Sequence, residues 1–71
     1  MFDLKIIGNT CKRYRLSLGY FQKHIAQDLG YSIENISSFE AGRNDNSKIL
    51  LWYMLHGLKV SDIMEDLHEK K

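Results

Sequence analysis

"QKHIAQDLGYSIENISSFEAG", residues 22–42, is the stretch on which the fold turns. Its apolar residues recur at steps of three and four: Ile25, Ala26 and Leu29, then Ile36 and Phe39. That is the helical period. Gly30 divides the two sets and accepts a positive φ at little steric cost, so the chain can turn sharply there. Ser32 is a favoured N-cap type. The spacing predicts one helix over 22–29 and a second over 33–41. Ala26, small and central on the first apolar face, lets the second helix cross closely. Ile36 and Phe39 then point back toward Ile25, Ala26 and Leu29. Two short helices around a glycine-containing turn are the helix-turn-helix pattern.

Outward from this pair the same period continues. A segment over 4–18 places Ile7, Cys11, Tyr14 and Leu18 along one stripe, with Gly19 as a left-handed stop. Gly8 and Asn9 weaken its first turns. A fourth segment over 47–57 begins near Ser47 and ends at Gly57, and a fifth over 61–68 begins after Ser61, where Asp62 suits the positive end of a helix. The chain has no proline and little alternating pattern. Helices this short are marginal alone and gain stability by packing their apolar stripes together. The expected fold is all-α: a compact five-helix domain spanning 1–71. A chain of 71 residues hides only about 60% of its unfolded surface, so a second subunit would help it.

Net charge is +1, so the molecule is no polycation, but its charges are unevenly spread. Lys5, Lys12, Arg13, Arg15 and Lys23 occur with no acid among them, whereas Asp62, Glu65, Asp66 and Glu69 occur with no base. Such asymmetry lets one face meet an anion while another stays acidic. Cys11 is the only cysteine and falls on an apolar stretch, which reads as a buried, inert thiol in a reducing cytosol. "ILLWYML", residues 49–55, is too short to span a bilayer, and no signal peptide is read, so a cytoplasmic location is expected.

Several residues then fall into one ordered series: Arg15, Gln22, Ala26, Gly30, Ile36-Ser37, Glu40, Gly42, Leu58 and "VSDIM" over 60–64. In this order and spacing the chain resembles the Cro/phage-repressor-like (XRE-type, lambda-repressor-like) helix-turn-helix proteins over nearly its whole length. It departs from them in three places. Phe21 stands where the family has a capping Thr, Ser or Asn; Asn46 stands where it has Pro; Lys48 stands where it has an apolar residue. The resemblance implies that the third helix enters the DNA major groove with Ile33, Glu34, Asn35 and Ser38 facing bases. Asn can meet adenine at two points, Glu can accept from cytosine N4, and Ile can pack on a thymine methyl. Glu34 would meanwhile be repelled by phosphates, so such a helix selects better than it attracts. Affinity must then come from phosphate contacts. The family's backbone-binding positions match Gln22, with Lys23 beside it, and Arg43 and Asn44, with Lys48 nearby. Arg15 and Glu40 match a structural ion pair that ties helix one to the end of helix three.

The fourth segment is apolar on every side. By resemblance, Leu51, Trp52 and Leu55 face the core, with Leu58 beyond. Ile49, Leu50 and Tyr53 then occupy outward positions that the family fills with polar residues, which predicts a dimer or partner interface there. A twofold homodimer suits a reader of palindromic half-sites. The alternative is that Met1, Phe2 and Leu4 fold over these residues.

His24, His56 and His68 are widely separated, no His/Cys/carboxylate group has zinc-site spacing, and no catalytic signature occurs. No enzyme activity, metal, cofactor or small-molecule substrate is expected. The expected function is that of a sequence-specific transcriptional regulator binding double-stranded DNA, a Cro-like repressor of a phage or bacterium. The competing expectation is a protein-binding module on the same fold, an antirepressor or inhibitor of a host or phage protein. Low net charge, the acidic Glu34 and the absent polar cap at Phe21 favour the second; Gln22, Arg43 and the basic first helix favour DNA.

Overall fold

The computed structural model describes residues 3–69, and among these the chain is five α-helices without a strand. They are α1 (Leu4–Leu18), α2 (Gln22–Leu29), α3 (Ile33–Glu40), α4 (Ser47–Leu55) and α5 (Val60–Glu69). None is long and apolar enough to cross a membrane.

Local chemistry sets the ends. The Asp3 carboxylate caps α1, accepting from the amide of Lys5 at 2.9 Å. Ser32 caps α3 through the amide of Asn35 at 3.3 Å, and Gly30 takes φ 71° to end α2. At α4 the cap is Asn46 rather than Ser47: its Oδ1 accepts from the amides of Lys48 and Ile49 at 2.9 and 3.3 Å. Asn46 thus satisfies two of the free amides that begin α4 with its own side chain. Helix α4 stops at Leu55, two residues short of the expected end. Helix α5 starts one residue early, at Val60, so Ser61 lies within it and is no cap; Asp62 instead reaches back to the amide of Lys59 at 3.0 Å.

The core gathers Cys11 from α1, Ile25 and Ala26 from α2, Ile36 and Phe39 from α3, and Ile49, Trp52 and Tyr53 from α4. Leu58 and Ile63 close it from the α5 side. Helix α1 is the spine and packs on α3, α4 and α5, while α2 packs on α3 and α4. The α1 stripe is shorter than expected, since Leu18 is exposed at the last turn. Gly8, read from sequence as a weakness, is the crossing point with α3. A Cβ placed on it would lie 2.5 Å from the carbonyl oxygens of both Phe39 and Glu40.

Helix α4 turns a different face inward from the one expected. Ile49 and Tyr53 are fully buried beside Trp52, and Leu50 is half-buried. Leu51 and Leu55 are exposed, Leu55 by 76%. The reason lies in polar tips. A helix that is apolar all round has no preferred face by hydrophobicity alone. The Trp52 indole N–H finds Asp28 at 2.8 Å, and the Tyr53 hydroxyl finds Glu40. A buried donor without a partner costs about 1–3 kcal/mol, and with this face inward both ring donors are partnered. The predicted interface of Ile49, Leu50 and Tyr53 is therefore corrected: two of the three are core. Of the residues expected to cover them, Met1 and Phe2 lie outside the described residues, and Leu4 is itself partly exposed.

Candidate nucleic-acid interface

The anchor of the site is a buried carboxylate. Glu40, at the end of α3, accepts from Arg15 Nε at 2.8 Å and Arg15 Nη2 at 3.1 Å. Both side chains are nearly fully buried, at 6% and 3% exposure. Arg15 Nη1 also donates to the carbonyl of Tyr20 at 3.0 Å. The pair read from sequence is thus present, but it is part of a larger set. Gln22 Nε2 donates to Glu40 Oε1 at 3.0 Å, and the Tyr53 hydroxyl donates to Oε2. One carboxylate ties α1, α2, α3 and α4 together. The Glu40 hydrogen bonds raise the Arg15 pKa above its ordinary value, so this guanidinium stays charged at any pH the fold survives.

The surroundings also predict an alkaline limit. Burial, and secondarily Glu40, push the Cys11 thiol up to about 12, and burial followed by the Glu40 hydrogen bond raises the Tyr53 hydroxyl. Both groups keep their protons in the folded chain past the pH at which the unfolded chain releases them. Stability is therefore complete below about pH 9 and falls as pH rises from there toward 12, first through Cys11 and then also through Tyr53. The expected slope is about 1.4 kcal/mol per pH unit for each group. Urea midpoints measured between about pH 8 and 11 should show it, and Cys11→Ala should flatten the first part; a midpoint constant across that range would contradict the described burial.

Outside this anchor, Ile33, Glu34 and Asn35 form the exposed leading turn of α3, and Ser38 is half-buried one turn on. The Ser32 hydroxyl donates to Asn35 Oδ1 at 3.1 Å, which steadies the carboxamide. Ser37, not foreseen as part of this face, is also exposed. The beginnings of α2 and α3 come together: a shallow groove is lined by Arg15, Phe21, Gln22, Lys23 and Ile33. Phe21 offers no polar cap to α2. His24 supplies the reciprocal contact instead, its Nδ1 accepting from the Phe21 amide at 2.9 Å. The amides of Gln22 and Lys23, at the positive end of α2, meet no acceptor among the described residues.

The phosphate-contact candidates divide. Lys23, Arg43 and Lys48 are exposed, with the Arg43 amide fixed on the Ser38 carbonyl at 2.9 Å. Gln22 and Asn44 are half-buried and already employed, Gln22 on Glu40 and Asn44 by accepting from the Asn46 amide at 3.1 Å. The basic stretch is likewise not one free surface. Arg13 pairs with Asp66 of α5 and Arg15 is internal, so part of the charge asymmetry is spent joining α1 to α5 and α3.

Two features escaped the sequence reading. Tyr20 stands edge-on to both Trp52 and His56, with centroids 5.5 and 5.6 Å away, and His56 stacks on Trp52 at 3.7 Å. This cluster locks α4 to the loop before α2. The second is Phe21 itself, 62% exposed and stacked on His24. Only the missing polar cap marked that position in the sequence. Comparison of the chain with protein-family models, curated proteins and solved structures finds no match.

Proposed function

We propose that the chain is a sequence-specific DNA-binding regulator of the Cro/phage-repressor-like helix-turn-helix type, acting as a twofold dimer. The observation that carries this reading is the leading turn of α3. It leaves Ile33, Glu34 and Asn35 uncovered beside the amide end of α2, on a helix whose far end is anchored by Glu40. Such a turn can be laid into a major groove with base-reading side chains at fixed positions. Lys23, Arg43 and Lys48 supply the phosphate contacts, and Gln22 serves chiefly to hold α2 against α3. In place of the residues first expected, the dimer would draw on the exposed apolar residues Leu51 and Leu55 of α4 or Val60 and Met64 of α5. The same residues favour the second reading, a module docking on another protein.

One experiment separates the two. Duplexes bound by the chain are selected from a random pool, and the best is titrated at several salt concentrations. Binding should weaken steeply with salt, with one duplex per two chains. Arg43→Ala should reduce the slope of log K against log salt by about 0.9 for each phosphate that the arginine neutralises. Asn35→Ala should instead relax preference at one base pair, at about 1–3 kcal/mol. Recovery of no duplex, or an affinity indifferent to salt, counts for the protein-docking reading.

A further inference from the structure

We propose that Phe21 and Ile33 together receive a thymine methyl group, making Phe21 a specificity-determining residue; this deepens the DNA-binding reading and rests on it. Phe21 is largely in water, and its ring has two neighbours. It stacks on His24 with centroids 5.6 Å apart and planes 19° from parallel, and the Lys23 ammonium lies 5.8 Å from its centroid. Its own amide is bound by His24 Nδ1. The Phe21 ring lines the groove, and the exposed Ile33 belongs to the same lining. Of the remaining lining, the Arg15 guanidinium and the Gln22 carboxamide nitrogen are turned to Glu40. The lining's exposed cation is Lys23, beside Phe21.

A groove with two apolar walls and a cation at the rim suits a small apolar group attached close to a phosphate. On the major-groove edge of B-DNA the thymine C5-methyl is that group. It also lies on the side of the base nearest its own 5′-phosphate, which would fall to Lys23. Deoxyribose is the other apolar part of the duplex, and it carries no base identity.

The test uses the full chain and a duplex selected from a random pool, with each thymine in turn replaced by uracil. Uracil lacks only the methyl. At one position per half-site the parent chain should lose about 4-fold in affinity, the change expected for one buried methyl. In Phe21→Ala and in Ile33→Ala this thymine-to-uracil ratio should fall to near one; Phe21→Leu should keep about half of it on a logarithmic scale. Lys23→Gln should weaken both duplexes alike and leave the ratio unchanged. Far-UV circular dichroism confirms that each variant is folded, and Phe21 is exposed enough to be replaced without loss of the core. Undiminished discrimination in Phe21→Ala, or a selected duplex indifferent to every uracil, overturns the proposal and assigns the walls to deoxyribose. If the pool yields no duplex at all, the DNA-binding reading has failed first and this inference falls with it.

Discussion

Glu40→Ala is expected to lower the free energy of unfolding by about 3–5 kcal/mol, the usual cost of removing one partner of a buried ion pair. The loss is large because four hydrogen bonds end on this carboxylate. Without it the Arg15 guanidinium remains buried with only the Tyr20 carbonyl among its former partners, and the Tyr53 hydroxyl loses its acceptor inside the core. A chain this size has roughly 4–10 kcal/mol of stability in all, so this one change should remove about a third of it or more. Urea titration followed by circular dichroism measures it. Glu40→Gln, which keeps shape and some acceptor capacity, should lose less. Replacing Arg15 by Met together with Glu40 by Leu should return part of the loss, because no unpaired charge is then left behind. A loss below about 1 kcal/mol for Glu40→Ala would mean that water reaches the pair.

Gly8→Ala is the second large effect, and its sign opposes local propensity. Alanine in a helix is better than glycine by about 1 kcal/mol. At Gly8 the added methyl would meet the carbonyl oxygens of Phe39 and Glu40 at 2.5 Å, and these are backbone atoms that no rotamer change can move aside. Overpacking of this kind costs about 1–3 kcal/mol, occasionally more. After the gain in propensity is set against it, we expect a net loss of about 1–2 kcal/mol in urea. Asn9→Ala, one residue on and exposed, should change stability by no more than about 0.5 kcal/mol in either direction. The clash also pushes on the end of α3 that bears Glu40, so on the proposed DNA-binding function Gly8→Ala should weaken binding to a selected duplex even where the chain remains folded. Equal stability of Gly8→Ala and the parent would place α1 and α3 farther apart than described.

Much of the architecture was legible in the order of residues. Gly30 and Ser32 mark the junction of α2 and α3 because left-handed backbone and free helix amides each demand particular residue types. The inward faces of those two helices followed from period, since Ile25, Ala26, Ile36 and Phe39 are buried, although the apolar Ile33 stays exposed. The Arg15–Glu40 pair came from a resemblance rather than from spacing, and its partners Gln22 and Tyr53 came from neither. Phe21 was noticed as a missing cap, but the compensating His24 contact depends on where a ring points.

What the linear order of residues determined was the helices themselves and the side from which α2 and α3 meet the core, because caps, glycines and the 3.6-residue period act over a few neighbours. What only the tertiary structure decided was the rotation of α4, the closeness of α1 to α3 at Gly8 and the grouping of Phe21 with Ile33. Helix α4 is apolar all round, so its orientation was chosen by Asp28 and Glu40, residues distant in sequence that its indole and phenol must reach to leave no buried donor unpaired.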